Sequence, residues 1–399
     1  MAKRIEALIR SEMLTWARKT AGFEIAQAAK KLQVPSGRLE GWERGDVRPS
    51  MVQLRKLAKI YKRPLGVFYL PEPPPDVHPL HDFRRLPGNV AGVQSPELRF
   101  EIRRAHSRRE RALDLYQVVG GPPPMFALSA TLADDPEAAG TAVRDALGIR
   151  YEDQVKWAGG HDPFNTWRSA LENAGVLVFQ ATTVAVTEIR GFSISEAPLP
   201  AIVVNIKDSP RGRTFTMLHE LTHVMLHEGG LCDTLEEGER RPEDQRVEVF
   251  CNHVAGAALV PGQQFLAEEL VRSKARQVEW PDDEITRLAR RYGVSREVLL
   301  RRLLILKRIT QTFYNRKTKQ YHEEYEEQAE KHPAEGFAPP HQMAISAVGP
   351  FFARLVLSNY YQEHITASEV SDFLEVRLRH LPKIEASVLG QPLSAGAVA

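Results

Sequence analysis

Two histidines four residues apart, with a glutamate directly after the first, form the segment whose chemistry is easiest to predict. The segment reads His219-Glu220-Leu-Thr-His223. On an α-helix, residues at this separation lie one above the other on the same face, so both imidazoles can bind a single zinc ion. Glu220 would then lie beside the water at the fourth zinc position and accept its proton. The spacing therefore predicts a zinc-dependent hydrolytic site with Glu220 as the general base.

A catalytic zinc ion also needs a third protein ligand. Glu248 is the best candidate because it lies on the first turn of a second predicted helix, which runs toward Pro261. Asn252, one turn further on, is placed to bond a ligand imidazole and fix its tautomer. His227 repeats the four-residue spacing and is assigned to helix capping or to supporting a ligand. Acidic residues in the intervening Gly- and charge-rich segment are poorer candidates: Glu228, Asp233, Glu236, Glu237, Glu239 and Glu243.

The elements around the motif must hold it against a core. Apolar residues recur at helical spacing from Phe215 to Met225, which predicts a helix with one buried face and with the histidines facing a cleft. Ser209-Pro210 predicts where this helix begins. Short apolar runs at Val176–Phe179 and Ala201–Asn205 predict buried strands. The second strand, directly before the helix, is predicted to form the lower edge of the cleft and to receive substrate as an added strand.

The segment from Arg213 to His227, followed by the Glu248 helix and Leu259-Val-Pro261, resembles the ImmA/IrrE family of bacterial and phage metallopeptidases. This resemblance covers about residues 176–261. It implies a gluzincin-like fold, zinc ligands at His219, His223 and Glu248, and a catalytic Glu220. It also implies a helix-turn-helix repressor as substrate, whose cleavage relieves repression. Thr222 replaces the usual Gly of the family and Phe250-Cys251 a common Glu-Ala, but neither change removes a ligand.

The amino-terminal segment from Phe23 to Gly45 resembles an XRE/Cro-type helix-turn-helix, which implies a five-helix domain. Its second helix offers few side chains that read bases. Gly37 and Gly41 have no side chain that could reach a base, and Glu40 repels phosphate. Two functions therefore stay open: DNA binding, and docking or dimerisation through the same fold. The candidate DNA contacts are Ser36, Arg38, Arg44 and Arg48.

Two other helical segments carry many arginines. A long helix is predicted from Pro96 to Val119, and its arginines are interpreted as a solvated face, with an acidic partner or phosphate as the alternative. A second helix-turn-helix-like pattern covers Asp283 to Leu303. Packing against the peptidase domain is the favoured interpretation there, and DNA contact is the alternative. The segment from Ser346 to Val388 is interpreted as a helical lid or a dimer surface.

Composition sets the remaining bounds. The 399 residues allow two or three domains, and a net charge of only +2 makes no case for nucleic acid from overall electrostatics. Two separated cysteines indicate neither a disulfide framework nor a cysteine zinc cluster. No run of 18 apolar residues occurs, so no membrane partner and a cytoplasmic protein are expected.

The fold class predicted is α+β and mostly helical, in four segments. These are a helix-turn-helix domain at residues 1–70, a Pro-rich linker with the basic helix at 71–124, a zinc peptidase domain with a small sheet at 125–270, and a helical region at 271–399. The function predicted is that of a zinc endopeptidase regulator that cleaves a repressor or antitoxin. DNA binding through the helix-turn-helix domain and a homodimer are further possible partners. The alternative is a DNA-binding regulator or antitoxin whose peptidase domain is vestigial and docks a partner.

Overall fold

A computed structural model of the protein describes residues 5–74, 80–82, 94–157, 162–232, 242–274, 279–331 and 338–390. The described residues divide into two compact units. Residues up to 74 and from 94 to 106 form the first unit, whereas residues 80–82 and those from 107 onward form the second. No helix among the described residues is long and apolar enough to cross a membrane.

The first unit is helical in the residues that the structure describes. Its elements are α1 (Ser11–Thr20), α2 (Ile25–Leu32), α3 (Ser36–Arg44), α4 (Met51–Tyr61), a 3-10 helix (Leu65–Tyr69) and the first part of α5 (Pro96–Val119). Gln33 ends α2 in the left-handed conformation, and Gly45 ends α3 in the same way. Leu39, Trp42 and Leu57 are buried in its core. The predicted five-helix domain thus has four α-helices and a 3-10 helix before α5.

The second unit contains the later part of α5 and every strand that the structure describes. The strands are β1 (His81–Asp82), β2 (Leu177–Ala181), β3 (Gly191–Ile194), β4 (Ala201–Asn205) and β5 (Gly230–Cys232). The helices through the zinc motif and beyond are α6 (Pro136–Ala146), α7 (Tyr151–Gln154), α8 (Pro163–Asn173), α9 (Pro210–Met225), α10 (Pro242–Leu259), α11 (Gly262–Ala267), α12 (Glu269–Arg272), α13 (Asp282–Tyr292), α14 (Arg296–Ile305) and α15 (Gln311–Lys331). The last helices are α16 (Pro340–Val348), α17 (Pro350–Tyr361), α18 (Ala367–Phe373), a 3-10 helix (Leu378–His380) and α19 (Leu381–Leu389). The predicted α+β, mostly helical class is confirmed.

The sheet of the second unit has the strand order β1-β5-β3-β4-β2 among the described residues. β4 is parallel to β2 and antiparallel to β3, and β3 is also antiparallel to β5. β4 therefore lies between two strands, and the prediction that it receives substrate as an added strand is wrong. All five of its residues are buried, as expected for a continuous apolar run in the middle of a sheet.

The second helix-turn-helix-like segment consists of α13 and α14, joined by Gly293 at φ 69°. Val298 through Leu303 on α14 are all buried, including the charged Arg302 at 0% exposure. Arg302 donates to both carboxylate oxygens of Glu137 on α6, at 2.6 and 2.9 Å. This helix therefore packs inside the second unit, as favoured from the sequence, and the alternative of DNA contact stays a prediction for the exposed arginines of α13, Arg287, Arg290 and Arg291.

The interpretation of the α5 arginines as a solvated face is wrong for two of them. Arg108 is 2% exposed and donates to the carbonyl of Ala347 and to Glu375. Arg109 is 8% exposed and donates from Nε to the carbonyl of Leu199 at 3.0 Å. Both guanidinium groups can be buried because backbone carbonyls and carboxylates far along the chain accept their hydrogen bonds.

Candidate metal centre

Helix α9 carries the histidine pair and begins where the sequence predicts. The Ser209 hydroxyl accepts a hydrogen bond from the Gly212 amide at 3.0 Å, and Pro210 occupies the first helical position. Every residue from Thr214 to Met225 is buried. Because α9 packs on β3, β4, α8 and α10, its polar residues face neighbouring elements instead of solvent.

Helix α10 brings Glu248 to the histidine pair. It begins at Pro242, with Glu243 and Asp244 on its first turn, so Glu248 lies on the second turn and not on the first as predicted. Acidic residues after a leading proline stabilise a helix amino terminus, which explains the earlier start. Glu248 is fully buried, and its helix contacts α9 along the motif.

The three side chains converge on one point. Nε2 of His219 lies 3.2 Å from Nε2 of His223, and these nitrogens lie 3.5 and 3.3 Å from Oε2 and Oε1 of Glu248. Around a tetrahedral zinc ion with bonds of about 2.0–2.1 Å, neighbouring ligand atoms are about 3.3–3.4 Å apart. Lone pairs this close repel unless a cation or a proton lies between them. The three donor atoms therefore fit a metal ion. Among the described residues, His219, His223 and Glu248 are the cluster close enough together to hold one.

The electrostatics of Glu248 favour the charged ligand form. Burial alone would raise the pKa of its carboxyl, but the charges and hydrogen bonds of His219 and His223 outweigh burial and lower that pKa below its usual range. A carboxylate that stays ionised is the form in which this side chain binds a metal.

Asn252 lies one turn after Glu248 and contacts the histidine pair. Its Oδ1 lies 3.0 Å from Nδ1 of His219, and its side chain is buried. A proton on Nδ1 donated to this oxygen leaves the Nε2 lone pair of His219 directed at the convergence point.

Glu220 faces β3. The hydroxyl of Ser193 donates to Oε2 of Glu220 at 2.9 Å, and both residues are 0% exposed. Sequence reasoning missed Ser193. The signal was one hydroxyl in the short strand Gly191-Phe-Ser-Ile194, between two large apolar residues, which periodicity alone does not separate from an ordinary strand residue.

Other residues considered as ligands do not join the site. His227 is exposed and has φ 57°, which ends α9 in the left-handed conformation. Glu228 and Glu243 are exposed. Burial, with the charges of Glu248 and Glu220, raises the pKa of the Cys251 thiol, so it packs as a neutral side chain. Four further candidates lie outside the described residues: Asp233, Glu236, Glu237 and Glu239.

The candidate DNA contacts lie on or beside α3 and are exposed: Ser36, Arg38, Arg44 and Arg48. Arg44 forms ion pairs with Glu40 at 3.7 Å and with Asp46 at 2.9 Å. The guanidinium of Arg38 lies 5.9 Å from the centre of the Trp42 ring. Arg44 is therefore already paired with carboxylates, whereas no carboxylate pairs with Arg38 or Arg48 among the residues that the structure describes.

Comparison with known families matches both regions. Residues 171–304 match the peptidase family model described as the IrrE N-terminal-like domain, and residues 14–68 match a helix-turn-helix model. No curated protein matches the chain. The peptidase match contains β2, the histidine pair, Glu248 and the α13–α14 segment, and the resemblance inferred from sequence is confirmed. The chain thus joins an XRE-type helix-turn-helix domain to an IrrE-like, metallopeptidase-like domain.

Proposed function

We propose that this protein is a zinc-dependent endopeptidase regulator that cleaves a protein partner, a repressor or an antitoxin, and thereby alters transcription. The observation that carries the proposal is the convergence of two imidazole nitrogens and a carboxylate at 3.2–3.5 Å, with Glu220 next to one of the ligands in the chain. A structural zinc site uses four protein ligands, whereas three leave a position for reaction. Three such ligands are found in the part of the chain that the structure describes.

Each residue of the site has a definite task in this proposal. His219, His223 and Glu248 hold the ion, and Asn252 keeps His219 in the tautomer that can bind. Zinc, when bound, supplies the Lewis acidity that activates water and polarises a peptide carbonyl. Glu220 accepts the proton from the attacking water and passes it to the leaving amine.

The closure of the site supports selectivity for a particular partner. His219, Glu220, His223 and Glu248 are each 0% exposed, so a peptide reaches them only after neighbouring segments move. The outer edge of β3 is already paired with β5 through Phe192 and Leu231, which prevents a substrate strand from pairing there. A substrate strand that paired with this edge of β3 would have to displace β5, and a generic peptide offers little binding energy to achieve that.

The helix-turn-helix domain supports a regulatory role. An XRE-type domain on the same chain brings the peptidase domain to an operator or to a partner of similar fold. Arg38 and Arg48 can contact phosphate, but the second helix presents few groups that distinguish bases. We assign to this domain the task of raising the local concentration of the partner.

The direct experiment is to co-express the full chain with the repressors and antitoxins encoded beside it and to identify the products by mass spectrometry. Glu220→Gln is the matched control, because it preserves the size of the side chain but cannot accept a proton. We expect one cut, in an exposed loop or linker of one partner, in the wild type and none in the variant. An identical product pattern in both would contradict the proposal.

One observation favours the alternative of a vestigial domain that docks a partner. Complete burial of all four residues is also what a metal bound only for stability would show. The same co-expression distinguishes the two functions: a partner that co-purifies intact with the zinc-loaded wild type supports docking without cleavage.

A further inference from the structure

The serine in the middle of β3 contacts the proposed general base. We infer that Ser193 is a positioning residue for Glu220: its hydroxyl holds the carboxylate in the orientation needed at the open metal position. This inference rests on the proposed function. It adds a residue from the sheet to a site that is otherwise built from α9 and α10.

The backbone of β3 fixes where the hydroxyl lies. Ser193 pairs with Ile202 of β4 in an antiparallel register, and the preceding Phe192 pairs with both Val203 and Leu231. A serine has one side-chain torsion before its oxygen, so a fixed strand leaves the hydroxyl few positions. The sheet therefore fixes the donor of the 2.9 Å bond, which can hold the longer side chain of Glu220 in one orientation.

Gly191 shows that this face of β3 is shaped around Glu220. Residues two apart on a strand share a face, so Gly191 and Ser193 point the same way. A Cβ at position 191 would lie 2.6 Å from Cγ2 of Thr216 and 3.2 Å from Oε1 of Glu220. The glycine leaves room for one carboxylate oxygen, and the serine donates to the other.

The neighbouring Ser195 provides a matched control. Its hydroxyl accepts a hydrogen bond from the Gly229 amide at 3.2 Å, so it also joins β3 to the segment after α9. No contact between Ser195 and Glu220 is seen in the described residues. Ser195→Ala removes a serine hydrogen bond close to β3 without removing a donor to the carboxylate.

A double-mutant cycle on the cobalt-substituted full chain tests the inference without a substrate. The four proteins are the wild type, Ser193→Ala, Glu220→Gln and the double variant, and the measurement is the visible absorption of bound Co²⁺, which reports its coordination. We expect Ser193→Ala to shift the spectrum in the same direction as Glu220→Gln, with no additional shift in the double variant. Ser195→Ala should keep the wild-type spectrum.

Two results would overturn the positioning role while the proposed function stands. One is a wild-type spectrum for Ser193→Ala when Glu220→Gln shifts it. The other is an equal additional shift when Ser193→Ala is introduced into Glu220→Gln, because the serine then acts independently of the carboxylate. Ser193→Thr retains the hydroxyl and should restore the wild-type spectrum; a threonine variant as altered as the alanine variant would assign the effect to packing and reject the inference.

Failure of the proposed function gives a different pattern. A wild type that binds no cobalt lacks the metal site itself. A Glu220→Gln spectrum identical to that of the wild type separates Glu220 from the metal position. In either case the positioning role of Ser193 is rejected together with the function on which it rests.

Discussion

The two regions that match known families place their functional side chains in opposite environments. Around the histidine pair, the polar residues are completely buried, come from α9, α10 and β3, and are held by contacts between elements. On and beside α3, the candidate DNA contacts are exposed, and Arg44 is paired with carboxylates two and four residues away. The chemistry of a buried site can be inferred from the distances between its own side chains. The function of an exposed helix depends on which partner binds it.

The same contrast separates the two helix-turn-helix patterns of the chain. α2 and α3 are joined through Gln33, and α13 and α14 through Gly293, each in the left-handed conformation. Ser36 and Arg38 on α3 are exposed, whereas residues 298–303 of α14 are buried and Arg302 among them is anchored to Glu137. A local pattern of helix, turn and helix thus predicts the fold of a segment and leaves its partner open.

The largest effect is expected from removing the proposed base. Glu220→Gln should reduce cleavage of the partner by about 10²–10⁴-fold, since positioned acid-base groups contribute this much to such reactions. Initial rates with purified proteins give the measurement, and zinc content should stay unchanged. Undiminished turnover would assign proton transfer to another group.

Removing the exposed region should have a smaller effect on the same reaction. Deletion of residues 1–75 should slow cleavage of the partner by about tenfold or more, because the tether that raises local concentration is lost. Zinc content, which depends on residues of the second unit alone, should not change. A truncated protein that cuts the partner as fast as the full chain does would remove the docking role.

DNA binding by α3 should be weak and governed by phosphate. Gel-shift titrations against the protein's own upstream region should show little sequence preference and a steep salt dependence. Arg38→Ala should reduce the salt slope by about one unit, and Arg44→Ala by less, because Arg44 is already paired with Glu40 and Asp46. A nanomolar, sequence-selective complex at physiological salt would contradict this assignment.

The smallest effect concerns the anchor of α14. Burial raises the pKa of Glu137, but hydrogen bonds from His253 and Arg302 outweigh burial and lower it to about 2. The ionised carboxylate therefore stabilises the fold above its unfolded pKa near 4.5, and this contribution is lost as the pH falls toward 2. Because Glu137 is one-third exposed, the contribution is discounted to about 1–2 kcal/mol.

Thermal unfolding of the wild type and Glu137→Gln between pH 7 and pH 3 measures this contribution. The wild type should be the more stable at pH 7, and the difference should shrink below pH 4.5. A difference that is constant with pH would show that the ionised form is not what anchors α14.

Sequence reasoning reached the elements whose signals are local. Ser209-Pro210 predicts the start of α9, the apolar run predicts β4 from Ala201 to Asn205, and α5 has the predicted bounds. It failed where contacts between segments distant in sequence determine the structure. Three features depend on which distant elements pack together. They are the position of β4 between β2 and β3, the burial of Arg108 by groups more than 200 residues away, and the contact of Ser193 with Glu220.

The measurement that tests the account most directly is the zinc content of the purified full chain and of single variants. We expect about one zinc ion per chain in the wild type and in Glu220→Gln, as for a site with three protein ligands. His223→Ala and Glu248→Gln should lose the ion, whereas Glu243→Gln, an exposed substitution on the same helix, should retain it. Full zinc occupancy in Glu248→Gln would contradict the assignment of the third ligand, and an absence of zinc from the wild type would contradict the metal site itself.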